Sequence, residues 1–170
     1  MFKTLAFAAA LSLAGGAALA QTPNDAQIAH IAYTAGVVDV AAGKQALEKS
    51  HDKAVRDFAQ EMVRDHTAVN DQALALVKKL GVTPQDNPTS QGLAKGGADK
   101  LKALSALNGK AFDKAYVENE VAYHKTVNGA LSATLVPNAK NAELKSLLQT
   151  GLKLFQEHQT HAEHLASSLK

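Results

Sequence analysis

From Val55 to Leu80 the residues Val55, Ala59, Met62, His66, Val69, Ala73, Leu76 and Leu80 recur at alternating spacings of four and three without a break. That spacing lays one stripe along one face of an α-helix, whereas a strand would alternate every second residue. The stripe starts after Asp52, a residue suited to capping a helix, and stops at Gly81 and Pro84. A helix over about Asp52–Leu80 is therefore expected. Three other segments repeat the pattern. Ile28, Ala32, Ala35, Asp39, Ala42 and Ala46 mark a first helix over about Asn24–Lys49. A third runs over about Ala111–Val136 and ends at Pro137. Leu144, Leu148, Gly151, Phe155, His158, Ala162, Leu165 and Leu169 mark a fourth over about Asn141–Ser168.

The connections set the topology. The turns near residues 50–52 and 137–140 are short, so each joins antiparallel neighbours. Gly81–Lys110 is long and carries the breakers Asn87-Pro88-Thr89 and Gly96-Gly97, with room for a short helix over Ala98–Leu107. A connection of that length can travel the whole bundle. The expected fold is all-α: a ferritin-like four-helix bundle of two helical hairpins joined by a long crossover segment.

Residues 1–20 read as an export signal rather than as part of this fold. Lys3 precedes the apolar run Leu5–Ala14, Gly15-Gly16 breaks it, and Ala18-Leu19-Ala20 offers small residues for cleavage after Ala20. The bundle domain then spans residues 21–170, and a periplasmic location is expected. The apolar run is too short for a bilayer, which takes about 20 residues, and no later stretch suits a transmembrane helix. The chain lacks cysteine, which removes disulfides, thiolate metal sites and thiol catalysis. Net charge is +2 and only Arg56 and Arg64 of the 18 basic residues are arginine, so nucleic acid is not an expected partner. A homo-oligomer or association with the outer membrane is consistent with an exposed helix face.

Each helical stripe contains a polar residue where an aliphatic one would pack better: Asp39, His66, Glu120 with His124 one turn later, and His158. Helix rise allows their heights to be compared. Asp39 lies 12 residues before the turn near residue 51 and His66 lies 15 after it, a height difference of about 5 Å. Glu120 and His158 lie 15 and 16 residues from a second turn between Leu135 and Ala142, whereas His124 lies only 11 from it. That makes Glu120 level with His158 and puts His124 about one turn off. Carboxylate and imidazole are ligands for Fe, Mn, Zn or Cu. Bundle di-metal sites need Glu-x-x-His on two helices, however, and neither the helix of His66 nor that of His158 carries it.

Other polar residues suggest solvent. Glu61 and Asp65, beside Arg64, read as a solvated charge pattern, and His158, His161 and His164 as steps along a largely solvated helix face. His30 and His51 read as surface residues near helix ends, and Phe112, Tyr116 and Tyr123 as core packing. No catalytic or cofactor-binding set is found: the chain carries no Gly-x-Ser-x-Gly, phosphate loop or dinucleotide fingerprint.

Several pieces together carry a resemblance: Asp39-Val-Ala-Ala-Gly43, Val55-Arg-Asp-Phe-Ala59, Met62-Val-Arg-Asp-His-Thr67, Phe112-Asp-Lys-Ala-Tyr116, Val121-Ala-Tyr-His124 and His158. The sequence resembles the exported bacterial ferritin-like proteins grouped as domain of unknown function 4142. The resemblance implies a four-helix ferritin-like fold and an exported, often membrane-associated protein, with no established activity. That family usually carries Glu where Asp39 stands, and Glu120 matches none of its features. Two functional readings follow. One is a non-catalytic binding or stress-related bundle whose polar seam fixes register or responds to pH. The other is a transition-metal protein using Asp39, His66, Glu120, His124 and His158 for sequestration or redox chemistry.

Overall fold

The structure, a computed structural model, describes residues 22–169. The expected signal segment lies outside the described residues. Those described form an all-helical chain with no strand: α1 (Asp25–Lys49), α2 (Lys53–Leu80), α3 (Pro88–Ser105), α4 (Gly109–Ala130), a π-helical turn (Leu131–Leu135), a short α5 (Val136–Asn138) and α6 (Ala142–Ser168).

Local chemistry explains most boundaries. The Asn24 side chain accepts from Gln27 N–H while the Gln27 side chain accepts from Asn24 N–H, a reciprocal cap that starts α1. Asp52 accepts from the N–H groups of Ala54 and Val55 at the start of α2. Gly81 closes α2 at φ 63°, a left-handed conformation that costs glycine little. Asn141 caps α6 in the same manner as Asp52 caps α2. The Asp25 carboxylate accepts from the N–H groups of Lys140 and Asn141, each at 2.8 Å, and so ties the start of α1 to the turn before α6.

Two stretches differ from the sequence expectation. The connection between the second and third expected helices is itself the 18-residue helix α3, beginning ten residues before Ala98. Pro88 does not break it, because a proline in the first turn has no N–H to waste, and Asn87 and Ser90 cap each other reciprocally. Gly97 does not break it either. A Cβ there would fall 2.7 Å from Val38, so the bare backbone lets α3 lie close against α1. The second difference is at Pro137, where the helix continues to Asn138. The missing Pro137 N–H and its ring are accommodated by the wider π turn, in which Val136 N–H reaches back to Leu131 O.

α1 packs along α2, α4 along α6, α2 against α6, and α3 against α1. The apolar interior forms two clusters. One contains Ile28, Ile31, Val127, Leu131, Leu148 and Phe155. The other contains Val55, Phe58, Met62, Phe112, Tyr116 and Leu165. Along every long helix that enters both clusters, a buried polar residue marks the change from one to the other. Asp39 stands between Ala35 and Ala42, His66 follows Met62, Glu120 and His124 stand between Val117 and Val127, and His158 stands between Phe155 and Ala162. No described helix is long and apolar enough to cross a membrane.

Candidate metal centre

All five sequence-selected residues meet in that polar layer, and each is no more than 2% exposed. Asp39 Oδ2 lies 3.5 Å from His66 Nε2 and 3.6 Å from His124 Nε2. The two imidazole nitrogens lie 3.4 Å from each other, which closes a triangle. Glu120 Oε2 is 3.6 Å from His124 Nδ1. One ring nitrogen of each of His66, His124 and His158 lies within 4.8 Å of the others.

Neighbouring groups fix the ring tautomers. His124 Nδ1 is 3.0 Å from the Glu120 carbonyl one turn back. A carbonyl only accepts, so Nδ1 carries the hydrogen and Nε2 keeps its lone pair toward Asp39 and His66. His158 Nε2 is 3.1 Å from Asp65 Oδ2. Asp65 is held below the usual carboxylate range, chiefly by Arg64 and also by His158, against a partial burial that raises it. An ionised carboxylate only accepts, so Nε2 donates and His158 Nδ1 keeps a lone pair, buried and without a hydrogen-bond partner among the described residues. The His66 ring stacks on Phe155 at 4.4 Å between centroids, which fixes its plane.

Burial dominates the electrostatics. It pushes Asp39 up to about 7 and raises Glu120 strongly, the latter helped by the Asp39 charge. It pushes His66 well down, helped by His124 and His158, takes His124 down to about 4, and lowers His158. The imidazoles are therefore neutral and the two acids hold on to protons. Both Asp39 oxygens, Glu120 Oε2 and His66 Nδ1 also lack a hydrogen-bond partner among the described residues. Buried polar atoms without partners are costly, and a cation held by the layer would satisfy some of them.

The height estimate needs one correction. His158 meets His66 and His124 rather than Glu120, its ring lying 5.5 Å from that of His124. The second turn falls later than the proline suggested. With α5 ending at Asn138 and α6 starting at Ala142, the turn centres on Lys140. His124 is then 16 residues before it, His158 18 after it and Glu120 20 before it.

A second correction concerns Asp65 and Glu61, read from the sequence as solvated. The Asp65 side chain is only 16% exposed and holds His158, while Glu61 accepts from His161 Nδ1 at 2.8 Å. The pattern was present: acids four apart on α2 face histidines three apart on α6. The row His158, His161, His164 does not act as a unit. Each step of three falls about 60° short of a full turn, so His158 points inward while His161 and His164 stay exposed. His51 is exposed as expected, and His30 is half-buried with Nδ1 3.8 Å from Asp86. Phe112 and Tyr116 are fully buried core residues stacked at 6.1 Å, and half-buried Tyr123 donates its hydroxyl to Ala35 O.

The family described as a domain of unknown function, DUF4142, matches residues 9–165. The chain belongs to this family. No curated protein and no solved structure gives a match. The DUF4142 match encloses every residue of the polar layer, from Asp39 to His158.

Proposed function

We propose that this chain binds a divalent first-row transition ion in its helical core. The triangle formed by Asp39 Oδ2, His66 Nε2 and His124 Nε2, with edges of 3.5, 3.6 and 3.4 Å, carries the reading. Three ligands about 2.1 Å from one tetrahedral ion stand about 3.4 Å apart. His158 Nδ1 supplies the fourth donor, with Asp65 as the carboxylate that orients metal-ligating histidines elsewhere. Glu120, with Oε2 3.6 Å from His124 Nδ1, borders this site, and its proton is released on loading. Two imidazoles, a third nearby and carboxylates without thiolate suit Fe, Mn, Zn or Cu.

The same reading takes α1, α2, α4 and α6 as a ferritin-like four-helix bundle, with α3 as a helical crossover. It places the protein in the periplasm, exported by residues 1–20, as a binding or sequestering protein rather than an enzyme. Short connections within each hairpin, the long one between them and the composition of the first 20 residues support this.

A second reading keeps the layer metal-free, as a polar seam that fixes helix register. Neutral imidazoles beside protonated acids favour it, because the layer then carries no net charge.

Elemental mass spectrometry separates the two. The protein is purified from a periplasm without an affinity tag, with His161 and His164 replaced, beside a His66→Ala/His158→Ala variant of the same background. Near one metal per chain, lost in the double variant, is expected. Protein that stays metal-free and equally stable after addition of Fe, Mn, Zn and Cu overturns the metal reading in favour of the second.

A further inference from the structure

Among the described residues, two apolar cavities lie beside the polar layer and contain none of its proposed ligands. The outer one, about 410 Å³, lies between α1, α3 and α4, among Val38, Ala42, Leu93, Leu101, Ala122 and Tyr123. The inner one, about 180 Å³, lies within the first core cluster, among Ile31, Val77, Val127, Leu131, Leu148 and Phe155. They share Thr89, Leu93 and Thr126 as walls, so the two spaces adjoin.

Features that weaken the helices border this space. Gly92 and Gly96 line the outer cavity, and a Cβ placed on either meets nothing within 4 Å. Neither glycine is required by packing or by backbone conformation, and glycine is a poor helix former. Leu131 and Leu135, the two ends of the π turn, line the inner cavity, as does Gly151 of α6.

The shape and charge select the occupant. The outer volume suits a small organic molecule, and apolar cavities near the inner one's size stay dry and take up hydrocarbon. A peptide helix, about 10 Å across, does not fit a chamber of that size inside the core. A flexible alkyl chain does. Lys100 is the one charged residue lining either cavity, and it makes no ion pair among the described residues. We propose that the paired cavities between α1, α3 and α4 bind a free long-chain fatty acid, its chain reaching into the inner chamber and its carboxylate at Lys100.

The proposal is independent of the metal reading, and the failure of either leaves the other standing. Its test is calorimetric titration of the purified protein, in chelator, with saturated fatty acids of about 8 to 16 carbons and the matching primary alcohols below their aggregation limits. Expected is one ligand per chain, with affinity rising about three- to fourfold per added methylene and levelling off once the chamber is full. Gly96→Leu, which fills the outer cavity, should weaken binding at least about tenfold without lowering the melting temperature. Lys100→Glu should weaken the acids by about five- to tenfold and leave the alcohols unchanged. Absence of binding, binding without fixed stoichiometry, or a Gly96→Leu variant that binds like the parent overturns the site. A Lys100→Glu variant that treats acids and alcohols alike overturns the assignment of the carboxylate, and with it the fatty acid.

Discussion

His158, buried on α6, donates from Nε2 to Asp65, a largely buried acid on α2 that sits beside His66 in the sequence, at 3.1 Å. This single bond fixes which nitrogen of His158 faces the interior. Asp65→Asn leaves a carboxamide that can donate as well as accept, so the tautomer is no longer imposed. Metal affinity should fall about 10- to 100-fold. Glu61→Gln, which touches His161 rather than His158, should change it less than about threefold. Competition against a chromophoric chelator measures both, and equal effects would mean the bond plays no part in ligation.

His66→Leu should uncouple stability from metal. The substitution removes a buried imidazole whose Nδ1 has no partner among the described residues, so the metal-free protein should be no less stable, or should gain about 1 to 3 kcal/mol. The parent should gain about 2.7 kcal/mol at zinc 100-fold above its dissociation constant, and the variant nothing. Urea unfolding in chelator and in zinc gives both numbers. A variant that still responds to zinc like the parent would place the ion elsewhere.

Much of this could be read from the residues. Periodicity located α1, α2 and α6 because one face of each is apolar and their caps are chemically distinct. The polar interruptions at Asp39, His66, Glu120, His124 and His158 were visible for the same reason, and they coincide with the division of the core into two clusters. Of α3 only the second half was legible, as the short helix over Ala98–Leu107; the first half was not, since its glycines line a cavity and its early proline sits in the first turn, where it costs nothing. Asp65 was missed because its role belongs to a pairing across α2 and α6, which only the turn position at Lys140 brings into register. The cavities are absences, and a single sequence carries little sign of an absence.

The glycines offer a test of packing in two directions. A Cβ on Gly43 would fall 3.0 Å from the Ala59 carbonyl and 2.8 Å from a Val63 methyl, so α1 and α2 would have to separate. Gly43→Ala should cost about 1 to 3 kcal/mol. Gly92 on α3 has open space at that position, and Gly92→Ala should stabilise by about 1 kcal/mol. Thermal and urea unfolding of the two variants should move in opposite directions. A destabilised Gly92→Ala would mean that α3 is packed more tightly than described.

The pH dependence of the metal-free protein follows from two opposing sets of groups. Asp39 is held up to about 7 and Glu120 is raised as well, so above pH 4 the folded chain keeps protons that the unfolded chain has released. Their stabilising contribution is complete below about pH 4 and is lost as the pH climbs through about 7. The imidazoles run the other way. His66 and His158 lie below 6.5 and His124 near 4, so on acidification the unfolded chain takes up protons the folded chain refuses. Their contribution is complete above about pH 6.5 and is lost on descending toward 4. Between about pH 4.5 and 6.5 the two slopes oppose and the profile should be shallow. Above that only the acids still titrate, and urea midpoints in chelator should decline from pH 6.5 to 8. Asp39→Asn should reduce that decline, because one of the two acids and its effect on the other are gone. Zinc should reverse it, since binding consumes deprotonated ligands and strengthens as protons leave. Midpoints at half-unit steps from pH 5 to 8, with chelator and with zinc, test the whole scheme. A metal-free midpoint that rises between pH 7 and 8 would show that Asp39 and Glu120 do not hold a proton at neutrality.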